Sequence, residues 1–92
     1  MVRMTVCVRG RVQMVGYRMF AEQTADRIGG IAGSVQNLPD GSSVVVVAEG
    51  PRASLEEFLD ELKIGPAHAL IREVEVEWGV ANGEPAGFVT IA

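Results

Sequence analysis

The residues best suited to chemistry lie in one short stretch near the N-terminus, Gly10-Arg11-Val12-Gln13-Met14-Val15-Gly16-Tyr17-Arg18. An alternating apolar run, Met4 to Val8, precedes it, and a segment with helical spacing, Tyr17 to Ile28, follows it. This pattern predicts a loop that connects a strand to the start of a helix. The first turn of a helix has unpaired backbone N–H groups, which readily bind an anion. The stretch is therefore a candidate phosphate-binding loop.

Three side-chain choices in this stretch support an anion site. Gly10 and Gly16 allow the backbone to turn sharply and to approach a ligand. Arg18 is predicted in the first helical turn, where its guanidinium can fold back over the loop and bind phosphate oxygens. The loop is not a Walker A loop, because the Gly-Lys-Ser/Thr ending is absent. On these residues alone, an ordinary strand-to-helix connection with a surface arginine is an equally good interpretation.

The elements that must position this loop follow from the periodicity of the rest of the chain. Strands are predicted at about 3–9, 32–38, 42–49, 70–78 and 88–91, and helices at about 17–28 and 51–63. The turn residues Pro39-Asp40-Gly41 predict a hairpin between the second and third strands. Four consecutive valines, Val44 to Val47, place the third strand in the interior of the sheet.

This order of elements predicts an α+β fold. It is a ferredoxin-like two-layer sandwich, β-α-β-β-α-β plus a short C-terminal strand, with the helices on one face of a mostly antiparallel sheet. Each helix has an apolar stripe that should face the sheet. The stripe residues are Tyr17, Phe20, Ala21, Thr24, Ala25 and Ile28 in the first helix and Leu55, Phe58, Leu59 and Leu62 in the second. Residues 1–92 are expected to form a single domain.

Composition excludes several classes of partner. The formal net charge is −4, and the eight Lys and Arg residues form no obvious basic face, so a nucleic-acid partner is not expected. The longest apolar run, Val44 to Ala48, is far too short for a membrane span. The single cysteine cannot form an internal disulfide, and no secretory leader is visible. We therefore expect a cytoplasmic protein.

Two segments resemble the signatures of the acylphosphatase family. Gly10 to Arg18 is similar to its first signature, Gly-Arg-Val-Gln-Gly-Val-Gly-Phe/Tyr-Arg, and Gly33-Ser34-Val35-Gln36-Asn37 is similar to its second, Gly-Trp-Val-x-Asn. Shorter similarities continue in order along essentially the whole chain. They are Leu38-Pro39-Asp40-Gly41, Ala48-Glu49-Gly50-Pro51, Val74-Glu75-Val76-Glu77-Trp78 and Gly87-Phe88.

The resemblance implies the ferredoxin-like fold and the hydrolysis of the carboxyl–phosphate bond in small acyl phosphates. It implies that Arg18 binds the phosphoryl oxygens and that Asn37 orients the attacking water. It also implies that the backbone amides of the loop cradle the phosphoryl group, namely those of Gln13, Met14, Val15, Gly16, Tyr17 and Arg18. Because the leaving carboxylate is stable without a proton, no metal, cofactor or general acid is required. We expect a monomer whose site also accepts inorganic phosphate or sulfate.

Two residues depart from the family pattern. Met14 replaces the central loop glycine, and Ser34 replaces the tryptophan of the second signature. If the loop requires a positive φ at Met14, a non-glycine residue costs roughly 1–2 kcal/mol there; if it requires only room, the side chain can point outward. Ser34 is expected to affect packing or a pocket wall. Two alternatives therefore stay open, a catalytically weak phosphate- or anion-binding domain and a ferredoxin-like interaction module.

Overall fold

The computed structural model describes all 92 residues. The five strands are β1 (Val2–Arg11), β2 (Ala32–Asn37), β3 (Ser43–Gly50), β4 (Leu70–Val80) and β5 (Phe88–Ile91), and the two helices are α1 (Tyr17–Ile28) and α2 (Arg52–Ile64). The predicted bounds of α1 and β5 are confirmed, and the other elements shift by one or two residues at their ends. Leu38 lies just outside β2, although its N–H still donates to Ser43 O across the turn. Pro51, which cannot donate, precedes α2.

The strands form one sheet in the order β4-β1-β3-β2-β5. β1 pairs antiparallel with both β3 and β4, and β2 and β3 form the predicted hairpin. β5 is the single parallel neighbour, and its pairing with β2 places Thr90 beside Val35. The predicted ferredoxin-like sandwich with a short C-terminal strand is confirmed, with β3 at the centre of the sheet.

Both helices pack their apolar stripes on one face of the sheet. The strand residues Met4, Val6 and Val8 alternate inward and are fully buried. They belong to a cluster of 17 buried apolar residues, which includes all four predicted stripe residues of α2. Tyr17 at the start of α1 is also buried, and its hydroxyl donates to Leu62 O at 2.7 Å. This bond fixes the start of α1 against α2, and burial raises the pKa of Tyr17. Neither helix is long and apolar enough to cross a membrane.

β1 is longer than predicted because its pairing with β4 continues through a register shift at Arg9 and Gly10 to Arg11. Gly10 has a φ of 139°, and a Cβ at this position would lie 2.1 Å from Leu70 O in β4. The structure thus gives a reason for Gly10 other than the expected approach to a ligand. This glycine is required by the close contact between two strands.

A single buried carboxylate anchors the connection between β4 and β5. The side chain of Glu49 is 6% exposed and accepts the N–H groups of Asn82, Gly83 and Glu84 at 2.7, 3.0 and 3.0 Å. It also pairs with Arg3 at 2.7 Å. These hydrogen bonds, with the Arg3 charge, lower the pKa of Glu49 to about 2. The carboxylate thus holds the segment that leads into β5.

Candidate active site

Residues from four parts of the chain surround one open depression of about 400 Å³. It lies between the loop 12–16, the first turns of α1, the end of β2 and strand β5. The lining residues are Val12, Met14, Gly16, Tyr17, Arg18, Met19, Glu22, Asn37 and Thr90. The fold therefore brings Arg18 and Asn37, which are distant in sequence, to the same site.

The backbone of the loop presents a row of free donors. No N–H group from Gln13 to Arg18 donates to another group of the chain, and the first helical bond runs from Phe20 N to Gly16 O at 3.0 Å. Gly16 is the N-cap of α1 in the left-handed conformation, with φ 81° and ψ 19°, and no side chain caps the helix. The positive end of α1 and these donors together form a site for an anion.

Met14 is the one non-glycine residue of the chain with a positive φ, at 62°. Its side chain is fully exposed. Of the two possibilities raised for this position, the structure shows the first, a positive φ, and the side chain also points out of the loop. Gly16, two residues later, also has a positive φ. A Cβ at Gly16 would meet nothing within 4 Å, so the backbone conformation, and not a lack of space, favours glycine there.

Arg18 is the second residue of α1, and its half-buried side chain lines the depression. Several other arginines of the chain form ion pairs with glutamates. Arg18 forms none. Its guanidinium is thus a positive charge, with a fork of donors, that remains available to a ligand.

Asn37 is the last residue of β2 and lies on the same face of the sheet as the buried Val35. Its side-chain Oδ1 is buried and has no hydrogen-bond partner. Buried acceptors are almost always paired, and leaving one unpaired costs about 1–3 kcal/mol. This unpaired acceptor makes Asn37 a candidate ligand-binding residue of the depression.

The side chain of Gln13 has a role that sequence reasoning missed. Its Nε2 donates to Leu38 O at 2.8 Å and to Ser43 O at 2.9 Å. The turn that carries these acceptors is itself fixed by Asp40, whose carboxylate accepts the Ser43 hydroxyl, its main contact, and the Ser42 N–H. Both bonds lower the pKa of Asp40. Gln13 thus ties the loop to the hairpin next to Asn37, a contact that only the tertiary fold reveals.

Glu22 and Thr90 also line the depression, and sequence reasoning assigned neither to the site. Thr90 Oγ1 donates to Glu22 Oε2 at 2.6 Å, which joins β5 to α1. Glu22 lies one helical turn after Arg18, so the site combines a carboxylate with its arginine. Ser34 lies on the opposite face of β2 from Asn37 and does not line the depression. Its expected effect on a pocket wall is therefore wrong.

The fold and the loop together define a ferredoxin-like sandwich with an anion site at a helix N-terminus. The family model for acylphosphatase matches residues 4–90. An acylphosphatase of Thermus thermophilus is 52% identical over 83 residues, which cover 90% of this chain and 92% of that protein. An acylphosphatase of Dehalococcoides mccartyi strain 195 is 46% identical over 81 residues, 88% of each chain. The crystal structure of acylphosphatase from Bacillus subtilis superposes with a TM-score of 0.93, at 32% identity, over the full length of both chains. This chain belongs to the acylphosphatase family.

Proposed function

We propose that this chain hydrolyses the carboxyl–phosphate bond of small acyl phosphates and releases a carboxylate and inorganic phosphate. Membership of the acylphosphatase family supports this reaction. The observation that carries the mechanism is the arrangement of three features in one depression. These are the free loop amides, the unpaired guanidinium of Arg18 and the buried, unpartnered Oδ1 of Asn37.

The loop and Arg18 bind the phosphoryl group. Backbone N–H groups from Gln13 to Arg18 donate to its oxygens, and the guanidinium adds two parallel donors and a positive charge. Negative charge redistributes over these oxygens in the transition state, so fixed donors stabilise it without reorganisation. Inorganic phosphate and sulfate present the same oxygens and are expected to compete for the site.

Asn37 orients the nucleophile. Its Oδ1 accepts a hydrogen bond from a water molecule, which attacks phosphorus from the side opposite the acyl oxygen. The new P–O bond forms as the bond between phosphorus and the acyl oxygen breaks. One proton of the water passes to a phosphoryl oxygen. The carboxylate leaves unprotonated because the pKa of a carboxyl group is about 4, so no general acid is needed.

The roles of the two side chains can be separated with acetyl phosphate as substrate. We expect Asn37→Ala to lower kcat by about 100- to 1000-fold while inhibition by inorganic phosphate is retained. Arg18→Ala should lose both turnover and phosphate inhibition, and Arg18→Lys should not restore them because an ammonium lacks the planar fork. Gln36→Ala, on the other face of β2, is the matched control. Near-full turnover by a folded Asn37→Ala variant would exclude the role of Asn37.

One observation favours a second candidate, a catalytically weak phosphate-binding domain. Met14 occupies a left-handed position where glycine is usual in the signature that this loop resembles. Under this alternative, phosphate would raise the unfolding temperature of the protein, but a folded protein would not hydrolyse acetyl phosphate.

We further propose that residues 1–92 act as one domain, that the protein is a monomer and that it is cytoplasmic. The single buried cluster supports the first proposal. The exposed carboxylates Glu73, Glu75 and Glu77 on the edge strand β4 support the second, since charge discourages strand pairing between copies. The free thiol of Cys7 supports a reducing compartment.

A further inference from the structure

We propose that Met14 and Met19 form an apolar subsite for the acyl group, so that the protein favours acyl phosphates with an aromatic or bulky aliphatic acyl group. This inference rests on the proposed hydrolysis of acyl phosphates. It concerns the half of the substrate that the loop amides, Arg18 and Asn37 do not bind.

Two large apolar side chains are exposed at the site. Met14 is 100% exposed and Met19 is 65% exposed, and both line the same depression as Arg18. A single exposed apolar residue needs no explanation, but two beside one anion site indicate a surface that a ligand covers. Methionine suits this use because its flexible, polarisable side chain adapts to ligands of different shape.

The backbone of Met14 gives an independent reason. A glycine would adopt a φ of 62° without strain, whereas methionine pays a conformational penalty there. The exposed side chain recovers nothing from packing within the chain. Strained backbone conformations of this kind cluster at active sites and ligand-binding sites. We therefore infer that methionine occupies this strained position, in place of glycine, because its apolar side chain contacts the acyl group.

The charges of the depression indicate the chemistry of the acyl group. In the proposed complex, Arg18 and the loop amides bind the phosphoryl oxygens. The acyl group then extends from the phosphoryl group toward the opening of the depression. A depression of about 400 Å³ falls within the range of roughly 300–1,000 Å³ of small-molecule sites, so it has room for more than a phosphate. The carboxylate of Glu22 also borders it and disfavours an acyl group that carries a second negative charge. A neutral, apolar acyl group fits both conditions.

The test compares kcat/KM for benzoyl phosphate and acetyl phosphate in each variant, because the ratio between variants cancels the intrinsic reactivity of the two substrates. We expect Met19→Ala and Met14→Gly each to lower the benzoyl-to-acetyl ratio by about 10-fold. Met14→Leu should keep the ratio because it conserves apolar volume. The control is Ile64→Ala, which changes an apolar residue of α2 that is 70% exposed. It should change kcat/KM for neither substrate.

An unchanged ratio in both Met19→Ala and Met14→Gly would overturn the subsite. If kcat/KM fell equally for both substrates in these variants, the subsite would also be overturned, because the methionines would then affect the loop and not the acyl group. If the folded parent protein hydrolyses neither substrate, the proposed function fails and the subsite fails with it. Turnover of both substrates with a constant ratio would refute the subsite alone.

Discussion

Replacing Met14 by glycine should make the protein more stable. A non-glycine residue in the left-handed conformation costs about 1–2 kcal/mol, and Met14 has a φ of 62°. Glycine loses more backbone entropy on folding, by about 0.5–1 kcal/mol. The side chain is fully exposed, so its removal sacrifices no buried contact. The balance is a gain of about 0–1.5 kcal/mol in the free energy of unfolding. Its centre, about 0.75 kcal/mol, corresponds to about 3–6 °C in Tm for a domain of this size.

The assay is thermal and urea unfolding of the parent protein, Met14→Gly and Met14→Ala. Alanine is the matched control because it removes the long side chain but keeps the Cβ that causes the strain. Its stability should therefore stay within about 0.5 kcal/mol of the parent. If the glycine variant is no more stable than the alanine variant, the loop does not hold a strained backbone at this position, and the reasoning fails.

Three further substitutions test other contacts of the site and its supports. Glu22→Gln removes a negative charge but keeps an acceptor for Thr90, so inorganic phosphate should inhibit about 1.5- to 5-fold more strongly, the equivalent of roughly 0.2–1 kcal/mol. Gln13→Ala removes two hydrogen bonds between loop and hairpin and should lower the free energy of unfolding in urea by about 1–3 kcal/mol. Because the folded pKa of Glu49 is lowered from 4.5 to about 2, its stabilisation is complete above pH 4.5 and declines as the pH falls toward 2. Glu49→Gln should lower the urea midpoint at pH 7 and flatten its dependence on pH in that window.

Each of these predictions has an outcome that contradicts it. Unchanged or weaker phosphate inhibition in Glu22→Gln would mean that this carboxylate does not affect the anion. A Gln13→Ala variant as stable as the parent would show that its bonds to the hairpin contribute nothing. If the pH dependence of Glu49→Gln between 4.5 and 2 equals that of the parent, another carboxylate is responsible for it.

Local patterns were sufficient to predict the elements of the fold. The spacing of Tyr17, Ala21 and Ala25 and the glycine at position 29 locate α1, while the alternation of Met4, Val6 and Val8 locates the inner face of β1. The ends of β1 were less predictable. They depend on pairing with β3 and β4, and the close approach of Leu70 to Gly10 has no local signature.

The site was predictable only where one segment contains it. The loop donors and Arg18 follow from the strand-to-helix pattern, and the resemblance to a known family added Asn37. The bond from Gln13 to the hairpin, and the positions of Glu22 and Thr90, depend on which elements become neighbours. The parallel pairing of β5 with β2, which brings Thr90 to the site, cannot be read from the residues of β5 alone.

The most direct test of the central claim is hydrolysis of acetyl phosphate in the presence of a metal chelator, by the parent protein and by Arg18→Ala. We predict turnover by the parent that the chelator does not reduce, and a loss of about 100- to 1000-fold or more in the variant. Circular dichroism would establish that both proteins are folded. Turnover that survives in Arg18→Ala, or its absence in the folded parent, would contradict the proposed site.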